Sequence, residues 1–168
     1  PPWERWQALL DRQGVVPSAL SRGALLELGD GVTIEVIFPD QDPLPGITPG
    51  GRDDALVLRL GYGDFRALLP TAAGPAGQRA LLATGLSLSS TLLLIPRQAD
   101  EEALAPEFLR AVQPAIAVAS AGSGYHQEPD ARVLAMVERA GIRLYRTDRQ
   151  GMIELVTDGR EVWVRTDR

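Results

Sequence analysis

Lysine and cysteine are both absent from the 168 residues, and there is a single histidine. Without cysteine there is no disulfide framework, no thiolate zinc site and no cysteine nucleophile, although the absence fixes no redox compartment. Without lysine there is no Schiff base, no phosphate-loop lysine and no lysine general base. All 17 basic residues are arginine, as a GC-rich genome favouring arginine codons would give. One histidine, His126, excludes every metal site built from several histidines of this chain. Long apolar runs are missing too: Leu92 to Ile95 stops at Pro96, far short of the roughly 20 residues that cross a bilayer. The start, Pro1-Pro2-Trp3, has neither the basic nor the apolar region of a signal peptide. Lacking methionine, it reads as the start of a processed or excised piece.

What is present describes an ordinary folded chain. Apolar residues make up 45% and charged residues 23%, which excludes disorder as the main state and suits one domain over residues 1–168. The formal net charge of −5 argues against a free-standing nucleic-acid binder. The charge is uneven, however. Residues 131–168 hold eight arginines against six acidic residues, net +2, and residues 1–130 hold nine against sixteen, net −7. A tail of +2 can touch phosphate but does not bind DNA strongly alone.

Periodicity gives the elements. Trp3, Trp6, Leu9 and Leu10 recur at helical spacing, with Gly14 as the stop. Ala24–Leu28 and Val32–Phe38 read as strands joined by Gly29-Asp30-Gly31, and Leu56–Leu60 and Phe65–Leu69 as a second hairpin across Gly61-Tyr62-Gly63-Asp64. Proline and glycine make residues 39–51 a loop. Residues 70–90 are small and weakly patterned, and read as a loop with one helical turn near Gln78–Ala83. From Leu92 the rhythm becomes strand, helix, strand, helix, strand. Leu92–Ile95, Ala115–Ala119 and Ile142–Tyr145 are the strands. One helix opens at Pro106 and stops at Pro114; the other is capped by Asp130 and ends before Gly141. Met152–Val156 and Glu161–Val164 form a last hairpin. Hairpins first and βαβ units later predict a mixed α/β (α+β) sheet covered by helices.

Loops that follow strands are where such proteins place their sites, and three qualify: Pro70–Gly74, Pro96–Ala105 and Ala121–Pro129. Gly122-Ser123-Gly124-Tyr125 has two of the three glycines of a dinucleotide fingerprint and no acidic residue at the required distance, so a flexible turn is the better reading. Ser120 or Ser123 with His126 would make a serine triad, but no nucleophile elbow surrounds either. Asp53 and Asp54 could join Asp64, Glu128 or His126 around a hard cation, although adjacent aspartates before a strand are more often solvated. Arg139, Arg143 and Arg146 lie near a helix end, where cations complement the helix dipole; binding phosphate is their other reading.

Four stretches together resemble the metallo-β-lactamase-like domain of ComEC-type competence proteins. They are Leu25-Leu26-Glu27-Leu28-Gly29-Asp30-Gly31-Val32, the segment from Ala55 to Phe65, the segment from Pro106 to Val118, and Val133-Leu134 through Gly151. The last is the most specific, because it holds Tyr145-Arg146-Thr147-Asp148 followed by Gly151. The resemblance implies the second half of an αββα fold, with the strand bearing the His-x-His-x-Asp-His metal motif expected before Pro1. It also implies a DNA-uptake membrane protein whose metal-dependent hydrolase chemistry uses a metal pair to make hydroxide.

At the implied metal positions the ligands are gone. Leu68-Leu69-Pro70-Thr71-Ala72 stands where the family has Leu-Leu-Thr-Gly-Asp, so Ala72 replaces a bridging carboxylate. Pro96-Arg97-Gln98-Ala99-Asp100 stands where the family has Pro-His-His-Gly-Ser, so Arg97 puts a permanent cation in place of an imidazole. The last family histidine falls near Glu128-Pro129, with His126 a displaced substitute. The resulting expectation is a metal-free, cofactor-free scaffold beside a membrane channel domain of the same polypeptide, on the extracytoplasmic side of the cytoplasmic membrane. Arg97, Arg139, Arg143 and Arg146 would meet single-stranded DNA. The alternative is an active phosphodiesterase or nuclease using unusual ligands or completed by the missing half. Half a two-sheet fold also leaves an apolar sheet face open, to be covered by a homodimer or by an extra local segment.

Overall fold

A computed structural model describes residues 2–41, 55–122 and 128–168. Its elements run α1 (Pro2–Arg12), β1 (Leu25–Gly29), β2 (Val32–Phe38), β3 (Val57–Tyr62), β4 (Phe65–Leu69), α2 (Pro75–Ala83), β5 (Leu92–Leu94), α3 (Pro106–Val112), β6 (Ile116–Ala119), α4 (Ala131–Arg139), β7 (Arg143–Arg146), α5 (Thr147–Gln150), β8 (Ile153–Thr157) and β9 (Val162–Thr166). β1 to β7 form one sheet in chain order. The pairings β1–β2, β2–β3 and β3–β4 are antiparallel, and β4–β5, β5–β6 and β6–β7 are parallel. This is the expected mixed sheet: tight Gly-Asp turns join β1 to β2 and β3 to β4 as antiparallel neighbours, and each later helix carries the chain back for a parallel one.

Local chemistry fixes the helix ends. Pro106 opens α3, whose last turn closes on Gln113 in the left-handed region before Pro114. The Asp130 side chain accepts from the Arg132 amide at the start of α4, and Gly141, with φ of 72°, follows its end. One expectation needs correcting. The helix near Gln78–Ala83 is a full one, α2, opened by Pro75; its small residues hide the apolar stripe that marks a helix. α1 forms as expected, but Trp6 and Leu9 are exposed, so its apolar face is not part of the core.

The core lies between the sheet and α2, α3 and α4. Ile37, Leu68, Leu93, Phe108, Val112, Ala117 and Val137 are buried there, each large side chain contributing about 1.5–3 kcal/mol. The other face is covered by β8 and β9, an antiparallel pair. Phe65, Leu92, Ile116 and Val118 of the sheet meet Ile153, Leu155, Val162 and Val164. Strand alternation assigns the two layers: in fully buried β6, Ala117 and Ala119 join the helical core while Ile116 and Val118 face the hairpin. The open face is thus closed over these strands by an extra local segment, one of the two solutions the sequence allowed.

Candidate functional site

β4, β5 and β6 run in one direction, so their carboxyl ends lie side by side. A cavity of about 510 Å³ opens there. Thr71 and Ala72 from the loop after β4, Ile95, Arg97, Gln98 and Asp100 from the loop after β5, and Ser120 after β6 line it, with Leu94 at its floor. The first two loops are among the three the sequence singled out, and Ala72 and Arg97 line the same cavity.

The loop after β5 is strained. Arg97, Gln98 and Ala99 have φ of 54°, 51° and 61°, the left-handed region that costs a residue with a Cβ about 1–2 kcal/mol. Surrounding bonds hold it. The Arg97 amide donates to the Thr71 carbonyl at 3.2 Å, and the Asp130 amide donates to the Ala99 carbonyl at 2.8 Å. Arg132 of α4 also bonds Glu101 at 3.0 Å. Strain of this kind persists where neighbours over-determine it, typically around a site.

Gln78 is the residue that sequence reasoning missed. It is fully buried in α2, donates to the carbonyls of Ala73 (2.9 Å) and Ala103 (2.8 Å), and accepts from the Ala105 amide (2.9 Å). It therefore ties the loop after β4 to the loop after β5. A lone amide among small residues gives no periodic signal, and only the path of the loops shows what it satisfies. Thr147 does the same for the third loop: its hydroxyl donates to the Ala121 carbonyl at 2.7 Å and accepts from the Ala121 amide at 2.8 Å.

Arg97 finds its counter-charges within its own loop. The Arg97 side chain, 11% exposed, reaches Asp100 at 2.8 Å and Glu102 at 3.2 Å. Both Asp100 oxygens are taken by this guanidinium, and one also accepts the Glu102 amide. Nearby, Arg146 makes a two-pronged contact with Asp148, at 3.0 and 2.6 Å. The Arg146 hydrogen bonds hold the Asp148 carboxyl below the usual carboxylate range.

The remaining candidates scatter. Asp64 precedes β4 and lines a separate depression with Arg66, Ser89, Ser90 and Thr91, at the opposite end of the strand from the cavity. It is therefore not part of the cavity. Arg139 and Arg143 are exposed at the end of α4 and the start of β7, so β7 separates them from Arg146 at its carboxyl end. Glu128 is exposed and is not among the cavity-lining residues named above. Asp53, Asp54, Ser123 and His126 lie outside the described residues.

The donor set does not fit a metal pair. Among the described residues that line the cavity, the side chains are hydroxyl, methyl, guanidinium, amide and aliphatic, and the one carboxylate, Asp100, is saturated by Arg97. Divalent ions in hydrolytic centres take imidazole and carboxylate donors. Among the described residues no three His, Asp or Glu side chains converge to hold an ion.

Comparison with known proteins adds one match. Over 144 residues, 84% of this chain, the sequence is 26% identical to ComE operon protein 3 of Bacillus subtilis strain 168. The chain is similar in sequence to one segment of that operon protein. The resemblance carried by the Leu-Leu-Glu-Leu-Gly-Asp-Gly and Tyr-Arg-Thr-Asp segments is thereby borne out. The chain spans 18% of the length of this relative. No family model matches it. Among solved structures, a protein provisionally described as a metal-dependent hydrolase, from Parabacteroides distasonis ATCC 8503, aligns at TM-score 0.49 and 15% identity. That alignment covers 83% of this chain and 61% of the other, a likeness too slight to carry chemistry. Among the described residues no helix is long and apolar enough to cross a membrane.

Proposed function

We propose that the chain is a non-catalytic, metal-free domain of the metallo-β-lactamase-like type in a ComEC-type DNA-uptake protein. It serves as a scaffold beside the membrane channel domain of the same polypeptide, on the extracytoplasmic side. The observation that carries the reading is the Arg97 guanidinium in the cavity at the strand ends, paired with Asp100 and Glu102. Arginine stays protonated at any working pH, so a permanent cation and its counter-charges hold the place where hydrolysis would need a divalent ion. Single-stranded DNA is the proposed partner. The exposed Arg139 and Arg143 are the cations offered to its phosphates, while Arg97 and Arg146 keep their charge inside the fold.

Metal analysis of the purified protein, paired with cleavage of single-stranded DNA in manganese, tests this. Sub-stoichiometric metal and no cleavage are the expected results. Stoichiometric metal with cleavage that disappears on chelation would overturn the reading in favour of an active nuclease. Salt-sensitive retention of DNA by the full-length protein, weakened by Arg139→Ala with Arg143→Ala, is the expected sign of the DNA role.

A further inference from the structure

α1 is one-sided, and its apolar side does not enter the core. At about 100° per residue, Trp6, Leu9 and Leu10 share one stripe of this helix. Trp6 is 45% and Leu9 53% exposed, and Leu10 is half-buried. None of the three belongs to the apolar clusters on either face of the sheet. Averaged over its length the helix is polar, so the stripe comes from arrangement and not from a uniformly apolar sequence. With 11 residues, about 16 Å, it is too short to cross a bilayer.

The charges stand around that stripe in a definite order. Measured from its centre, Arg5 and Arg12 fall about 90–115° round the helix, at one border of the stripe, and Glu4 and Asp11 about 145–165° round, on the far side. All four residues are exposed. The helix is neutral in sum, yet its border is cationic and its far side anionic. This order selects the occupant. A second copy of the stripe offers the border arginines no acid, because its own acids lie on its far side. An anionic lipid surface matches all three zones: acyl chains meet the stripe, phosphates meet the border and water meets the acids. Trp6 suits the same depth, with an apolar ring and a polar N–H that settle at the headgroups. The whole chain carries −5 and α1 none of it, so repulsion from such a surface turns the rest of the molecule away and leaves this helix facing it.

We propose that α1 lies along the headgroup layer of an anionic lipid bilayer. Trp6 and Leu9 turn into the acyl boundary, Arg5 and Arg12 reach lipid phosphates, and Glu4 and Asp11 stay in water. One short helix with two cations holds weakly and reversibly, so it orients the domain against a membrane and does not fix it there alone. The inference goes beyond the metal and DNA reading and does not rest on it.

Flotation of the 168-residue chain with vesicles of phosphatidylglycerol and, separately, of phosphatidylcholine tests it, with far-UV circular dichroism as the check on folding. The expected result is flotation with phosphatidylglycerol and weaker flotation with phosphatidylcholine. Leu9→Glu should lower the partition about tenfold or more, and Arg5→Gln with Arg12→Gln should remove most of the preference for phosphatidylglycerol. Val156→Glu, exposed on the outer face of the hairpin, should change neither. Should Leu9→Glu fail to fold, tryptophan fluorescence decides. In Trp163→Phe the remaining tryptophans both lie in α1, and on vesicles their emission must shift to the blue and be quenched by brominated acyl chains. No flotation with phosphatidylglycerol, equal flotation with both lipids, loss on Val156→Glu but not on Leu9→Glu, or flotation without a tryptophan response would each overturn the proposal. So would a dimer in lipid-free buffer that Leu9→Glu dissociates, since a second copy would then cover the stripe.

Discussion

Gly63 and Gly159 touch backbone to backbone. The Gly159 carbonyl accepts from the amides of Asp64 (2.6 Å) and Phe65 (3.1 Å), so the turn of the last hairpin is pinned to the turn between β3 and β4. A Cβ on Gly63 would lie 2.7 Å from that carbonyl oxygen, and its φ of +53° is one that glycine adopts without strain. Gly63→Ala should therefore destabilise the fold by about 2–3 kcal/mol, read from urea unfolding. The loss should be accompanied by faster amide exchange across Ile153–Thr166, because the hairpin loses its anchor.

Gln78 offers a sharper test. Gln78→Leu leaves the Ala73 and Ala103 carbonyls and the Ala105 amide without their partner, at about 2–4 kcal/mol. Gln78→Glu should be as costly at neutral pH, since it sets a buried anion against two carbonyl oxygens, and should recover part of that stability as the pH falls and the carboxyl protonates. A neutral-pH melting temperature matching wild type would refute the clamp.

Asp148 sets a pH dependence with a definite sign. Its carboxyl is held below the ordinary value, first by the Arg146 hydrogen bonds. The pair therefore contributes fully above the unfolded-state value of about 3.9, and its contribution is lost as pH falls through the lower folded value. Asp148→Asn should flatten the melting curve's dependence on pH below about 4 and leave its form unchanged above 6.

Arg97 should be structural in its own right. The Arg97 side chain is 11% exposed but its two carboxylate partners are partly solvated, so Arg97→Leu should cost about 1–2 kcal/mol through its lost hydrogen bonds. Arg97→Lys should recover less than half of it, because an ammonium cannot span both Asp100 oxygens and Glu102. Manganese uptake measured by calorimetry should stay absent in both variants; uptake on removal of the arginine would show that the guanidinium alone was excluding a cation.

Thr147 should matter through one loop. Thr147→Val removes both hydrogen bonds to Ala121, an expected loss of about 1–2 kcal/mol, with the Ala121 amide exchanging faster while the core amides of β5 and β6 keep their protection.

Most of the fold was legible because local rules decide it. Gly-Asp turns specify hairpins, Pro106 and Asp130 start helices, and strand alternation sorts Ile116 and Val118 from Ala117 and Ala119. That positions 72 and 97 carry a methyl group and a guanidinium was legible as well, since residue chemistry does not depend on where the chain goes. α2 was underread for the opposite reason: its small residues acquire meaning only against α3 and the sheet.

The sequence by itself determined most of the elements, the mixed parallel and antiparallel order and the chemistry available to the strand ends. Tertiary structure alone decided that Gln78 clamps two loops, that Arg97 is already matched by Asp100 and Glu102, and that Asp64 is cut off from the cavity by the length of β4. It also decided that β8 and β9 cover one part of the sheet while the leucines of β1 stay bare. These are relations between segments far apart in the chain, and no local pattern encodes a distance that only packing creates.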